Sequence, residues 1–119
     1  MSQNFQPGDF LIFQLESGYG LLRVLAVEED ADGKTWHVAG YSDFYIDVDS
    51  ADRALEVPGS LAVSHPHIAL TNRAFESTQV AKMKNVPLGG AELTAFEQWK
   101  ADPAREVSDR SVRLMLGLR

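Results

Sequence analysis

The stretch that most constrains this chain runs from Pro7 to Tyr41, where three strand-like runs are separated by two glycine-containing turns. In the first run, Phe10-Leu11-Ile12-Phe13-Gln14-Leu15, Phe10 and Ile12 alternate with Leu11, Phe13 and Leu15, so both faces are apolar. Successive strand residues point to opposite faces, and a strand apolar on both must be covered on both, in a central position or in a barrel wall. Glu16-Ser17-Gly18 supplies a turn. Tyr19 to Val27 then returns, with Leu22, Val24 and Ala26 on one face and Arg23 between Leu21 and Leu25 on the other. Asp32-Gly33 is a strong hairpin signal, because this pair accepts the backbone twist of a tight turn. Thr35 to Tyr41 forms the third run, with Trp36 and Val38 on one side and His37 and Tyr41 on the other.

Further along, Phe44-Tyr45-Ile46-Asp47-Val48-Asp49 alternates cleanly. The pattern predicts a half-exposed strand with Phe44, Ile46 and Val48 inward and Tyr45, Asp47 and Asp49 outward. Ser50 reads as the cap of one helical turn to Leu55, ended by Pro58-Gly59. His67 to Thr71 predicts another strand, followed by a short helical turn over Asn72 to Glu76 begun by Thr71 or Asn72. Val80, Met83 and Val86 recur at helical spacing without clear boundaries. After the break at Pro87-Leu88-Gly89-Gly90, a helix is expected over Ala91 to Ala101, stopped by Asp102-Pro103 because a residue before proline avoids helical geometry. At the end of the chain Val107 and Val112 bracket Ser108 as a hydrophobic staple brackets an N-cap, and Gly117 suits a C-terminal cap. Val112, Leu114, Leu116 and Leu118 also alternate as a strand would, but the agreeing start and stop signals favour a helix from Asp109 to Leu116.

Length and charge narrow the classes of function. The 119 residues suit one domain, with a barrel-like part at about 7–71 and a helical part at about 88–119. Cysteine is absent, so neither a disulfide framework nor thiolate chemistry is available. The polar first residues lack the basic-then-apolar layout of a signal peptide. No apolar run approaches the ~20 residues of a membrane helix, so a cytoplasmic protein without a membrane partner is expected. Residues 1–60 carry eleven acids against three bases (Arg23, Lys34 and Arg53), whereas residues 61–119 carry six acids against eight bases. An acidic front half argues against nucleic acid as the main partner, since that affinity rests on clustered Lys and Arg. It suits solubility, or a face that meets a basic partner.

Motifs for chemistry are sparse. The acidic loop Glu28 to Lys34 resembles part of a calcium loop, but the position needing a bidentate Glu is Ala39. Gly18-Tyr19-Gly20 sits in a hairpin and not between a strand and a helix, which is the context a phosphate cradle requires. In Ser64-His65-Pro66-His67, the two histidines of an extended chain point to one side and could share a metal. Zinc would need one or two further ligands, from His37, Asp43, Asp47 or Asp49, and no spacing links them. No cofactor is implied. The aromatic residues Tyr19, Tyr41 and Tyr45, with Asp43, Asp47 and Asp49, could instead line an aromatic, acidic groove suited to a basic peptide.

The layout Gly8-Asp9-Phe10-Leu11-Ile12-Phe13, then Gly18-Tyr19-Gly20 and Leu22-Arg23-Val24-Leu25-Ala26-Val27, resembles the opening of SH3-like and Tudor-like small barrels over about a third of the chain. It is similar to the opening of CarD-type domains that grip RNA polymerase, and to small barrels among bacterial toxin-immunity proteins. The larger basic helical half of a CarD-type protein has no counterpart here. Both resemblances imply a protein binder.

The expected fold is therefore α+β: a bent, mostly antiparallel sheet or small SH3-like barrel of about five strands with one or two C-terminal helices packed on it. Leu11, Phe13, Leu21, Leu25, Trp36, Val38, Phe44, Ile46, Leu93, Phe96 and Trp99 are expected to supply the core. The expected function is non-catalytic: a module, inhibitor or immunity-type partner presenting an acidic face to a basic protein. A small enzyme or ligand-binding protein using His65, His67 and the Asp43–Asp49 strand is the alternative. A homodimer through the apolar outer face of the first strand is a third arrangement.

Overall fold

The computed structural model describes residues 4–116. Five strands, β1 (Asp9–Leu15), β2 (Gly18–Asp30), β3 (Gly33–Tyr41), β4 (Val63–Thr71) and β5 (Val80–Asn85), form one sheet in the order β4-β3-β2-β1-β5. All pairings between them are antiparallel. The helices are α1 (Val48–Ala54), α2 (Asn72–Glu76), α3 (Gly90–Ala101) and α4 (Val112–Leu116), with a 3-10 turn at Pro58–Ser60. This is an α+β fold whose meander β1–β4 is completed by β5 returning beside β1.

The two-sided apolarity of the first strand has a direct consequence: both faces of the sheet are covered. On one face Leu11, Phe13, Leu22, Val24, Trp36, Val38, Ile68 and Leu70 pack with Ala74 and Phe75 of α2 and Val112 and Leu116 of α4. Trp36 anchors this layer. Its ring stacks on Phe75 at 4.0 Å between centroids and 7° between planes, and its indole N–H donates to Asn72 Oδ1 at 2.8 Å. Leu116 lies over Gly40, where any Cβ would collide with its methyl groups, so the glycine allows α4 to approach the sheet. On the other face Phe10, Ile12, Leu21 and Tyr41 pack with Ala51 and Leu55 of α1 and with Leu61. Helix α3 lies over the same face, further toward β4.

Two buried charged groups tie the elements together. Asp9 is fully buried and accepts from the Gln6 backbone N–H at 2.8 Å and Asn85 Nδ2 at 2.7 Å, joining β1 to β5. Arg23, 1 % exposed, donates Nη1 to the Gly8 carbonyl at 2.8 Å and covers the Phe10 ring.

Several expectations are corrected. Phe44–Asp49 is not a strand. Tyr45 makes an isolated bridge to Tyr19, and the Asp47 carboxylate then accepts from Ser50 N–H at 2.7 Å and starts α1. Asp47, not Ser50, is thus the cap. Alternation alone could not make this segment a strand, because its backbone meets a partner only at the Tyr19–Tyr45 bridge before the Asp47 cap turns the chain into α1. Phe44 and Ile46, expected in the core, are 49 % and 76 % exposed. The helical spacing in Val80–Val86 is also misleading: Val80–Asn85 is β5, an edge strand whose Lys82 and Lys84 discourage pairing with other chains. The sheet therefore extends beyond residue 71. Strand β4 begins at Val63, four residues earlier than expected. Leu93, Phe96 and Trp99 are half-buried, and no residue of α3 is fully buried. The last helix is shorter than the expected Asp109–Leu116 span, starting only at Val112, while the Gly117 cap lies outside the described residues.

Among the described residues no helix is long and apolar enough to cross a membrane.

Candidate functional site

Two irregularities in the sheet shape the surface beneath α3. Between β2 and β3 the partners step from Val24↔Val38 to Ala26↔His37, so Leu25 is the extra residue of a bulge. Between β3 and β4 they step from Val38↔Ile68 to Gly40↔His65 to Tyr41↔Val63. Strand β4 thus advances five residues while β3 advances three, and its first half curls away from the ladder. Pro66, which has no N–H to donate, sits within this irregular stretch of an edge strand, where proline is tolerated. The result is a hollow between β4, Tyr41 and α3.

Helix α3 covers this region with a stripe at helical spacing: Glu92, Ala95, Phe96 and Trp99. At the N-terminal end, the Glu92 carboxylate accepts from Arg23 Nε at 3.0 Å and Nη2 at 3.1 Å, and also from Gly89 N–H at 3.0 Å. One carboxylate therefore closes the first turn of α3 and binds the helix to β2. Burial opposes the charge of Glu92, but the hydrogen bonds from Arg23 and Gly89 and the guanidinium charge together hold its carboxyl below the usual range.

At the other end lies a hydrogen-bonded run of three side chains from three strands. Glu28 Oε1 is 2.6 Å from His37 Nε2, and His37 Nδ1 is 2.9 Å from His67 Nε2. Because an ionised carboxylate only accepts, His37 carries its proton on Nε2, accepts at Nδ1, and requires the proton of His67 on Nε2. The free lone pair of His67 is then at Nδ1. The two imidazoles stack at 5.1 Å beneath Phe96 and Trp99. His37 is fully buried, and its pKa is lowered by desolvation against the opposing pull of Glu28. Desolvation and the neighbouring His37 bring His67 down to about 4, so both rings are neutral near pH 7. Glu28 lines one open cleft of about 400 Å³ with Lys100 and Arg105. His67 lines another of about 510 Å³ with His65, Ser108 and Arg110. The run can pass a proton between these clefts through a buried imidazole, or simply hold three strands in register under α3.

The residues singled out from sequence fall into separate places. Tyr19 and Tyr45 are joined, each donating its backbone N–H to the other's carbonyl, at 2.7 and 3.0 Å. Tyr41 is buried, so it does not share a surface with them. Asp43 accepts from Ala62 N–H at 2.7 Å, Asp47 caps α1, and Asp49 lies in its first turn. The three carboxylates therefore lie along one segment. His65 and His67 do not converge: His65 Nδ1 is 3.0 Å from the Ser64 hydroxyl, whereas His67 turns to His37. Among the described residues no group of three or more His, Asp or Glu side chains is placed to hold a metal ion. Sequence reasoning missed Glu28 and the pairing of His37 with His67. The alternation in β3 placed His37 opposite Trp36, but its cross-strand partners depend on register.

No protein-family model, curated protein or solved structure matches this chain.

Proposed function

We propose that this protein is a non-catalytic binding module whose contact surface is the Phe44–Asp49 segment, and that its partner is a basic protein or peptide. One observation carries the reading. Phe44, Ile46 and Val48, whose alternation suggests burial, are instead 49 %, 76 % and 43 % exposed. They are interleaved with Tyr45 and the carboxylates Asp47 and Asp49. Exposed apolar groups gathered in one place and rimmed by charge mark interaction sites more often than scattered ones do. Carboxylates at that rim favour cationic partners by steering and by rejecting acidic ones. Phe44 is held at the surface by packing over Gly18, where a Cβ would overlap its ring and the Tyr45 carbonyl. The return of β5 beside β1 is compatible with the small SH3-like barrel resemblance, and an inhibitor or immunity-type role rests on that resemblance alone.

A photo-crosslinking residue at position 46, compared with one at the similarly exposed Leu114, tests this. A basic partner captured at 46 and not at 114, with capture reduced by high salt or by Asp49→Asn, supports the reading. Equal capture at both positions, or none at 46, rejects it.

A second reading, a small enzyme using His67, draws on the Glu28–His37–His67 run. His67→Ala would then abolish a turnover that His65→Ala leaves intact. Under the binding-module reading neither change affects partner capture.

A further inference from the structure

Beneath α3 lies a cavity of about 380 Å³ with mostly apolar walls, bounded by Leu25, Ala39, Tyr41, Val63, Ala95 and Glu92. Its size falls within the ~300–1,000 Å³ of small-molecule sites. It exists because β4 curls away from β3 beside Tyr41 and because α3 places the short side chains of Ala91 and Ala95 along the gap. A second cavity of about 280 Å³, between Phe10, Arg23, Pro58 and Leu61, shares Tyr41, Val63 and Glu92 with the first.

Tyr41 thus stands between two cavities. It is only 5 % exposed, yet among the described residues its hydroxyl has no hydrogen-bond partner. Buried hydroxyls are ordinarily paired, and an exception points to an absent partner. Burial pushes the Tyr41 phenol up to about 12, against Arg23 and with Glu92, so the group stays protonated and available as a donor. The one charge on the wall is already matched, since Glu92 is paired at 3.0 Å with Arg23 of the adjoining cavity. An anionic ligand would face Glu92, and a cationic one would have to compete with Arg23 for that carboxylate.

We propose that this cavity binds a small, neutral, largely apolar molecule bearing a carbonyl oxygen, which accepts a hydrogen bond from the Tyr41 hydroxyl. Val63, 55 % exposed, and the exposed Thr94 and Gln98 of α3 complete the lining. The site is separate from the Phe44–Asp49 surface, so either can fail without the other.

Acetophenone and ethylbenzene, similar in size but differing in the carbonyl group, are suitable probes in an amide chemical-shift titration of the native protein. Acetophenone is expected to give saturable shifts at Ala39, Tyr41 and Ala95, with at least tenfold tighter binding than ethylbenzene. Tyr41→Phe should keep the fold and remove that preference, while Ala95→Leu should block both probes. Absence of saturable shifts in the native protein, equal binding of the two probes, or a preference that survives Tyr41→Phe would overturn the proposal. The comparison of probes on the native chain requires no variant to fold.

Discussion

Arg23 and Glu92, drawn from β2 and α3, meet at 3.0 Å with the guanidinium 2 % exposed and the carboxylate 39 % exposed. Helix α3 buries none of its residues fully, so this pair and the half-buried Phe96 and Trp99 hold it to the sheet. Glu92→Ala should leave Arg23 buried without its counter-charge. Loss of one partner from a buried pair costs roughly 3–5 kcal/mol, and the partial exposure of Glu92 lowers the expectation to about 2 kcal/mol. Urea denaturation of the variant beside the native protein measures this.

Stability should fall on mild acidification because of the histidine pair. A histidine whose folded pKa is depressed binds its proton more readily when unfolded, so its contribution is complete above ~6.5 and declines as pH falls toward the folded value. For His67 that window runs from ~6.5 to about 4. The expected loss by pH 4.5 is about 2 kcal/mol after allowance for solvent near the half-buried ring. Denaturation midpoints between pH 7.5 and 4.5 should show this slope, and His67→Gln should flatten most of it. The depressed carboxyls of Asp9 and Glu92 act lower, below their unfolded values near 4.

Gly40→Ala should expel Leu116 from its place on the sheet, since the added Cβ overlaps the leucine methyls. Overpacking of this kind costs about 1–3 kcal/mol. Adding Leu116→Ala should recover part of the loss, making the two changes non-additive in a double-mutant cycle. Strictly additive costs would show that α4 does not dock there in solution.

Phe75→Ala removes a fully buried ring stacked on Trp36 and should cost roughly 3–5 kcal/mol. Phe96→Ala, at a half-buried ring, should cost only about 2 kcal/mol. Thermal melts of the two variants should rank them in that order.

Ile46→Asp should leave stability within ~0.5 kcal/mol, as for surface substitutions without structural partners, because the side chain is 76 % exposed. Equal denaturation midpoints for the variant and native chain, with lost partner capture, would separate a binding role from a folding one.

The sequence by itself determined the central hairpins, the two-sided covering of the first strand and the existence of α3. Each follows from signals confined to a few neighbouring residues: alternation in Phe10–Leu15, Asp32-Gly33, and the breaks that bracket Ala91–Ala101. A start of α2 at Thr71 or Asn72 was legible for the same reason, and the structure selects Thr71 as the cap. Tertiary structure alone decided the outcome elsewhere. Phe44–Asp49 and Val80–Asn85 carry periodicities that each suggest the wrong element, because a strand requires a free neighbouring edge and only the second segment reached one. The Glu28–His37–His67 run, the Arg23–Glu92 pair and the unpartnered Tyr41 hydroxyl depend on which strands lie side by side and where the bulges fall. A single inserted residue in a ladder re-aims every side chain beyond it, and nothing local records that shift.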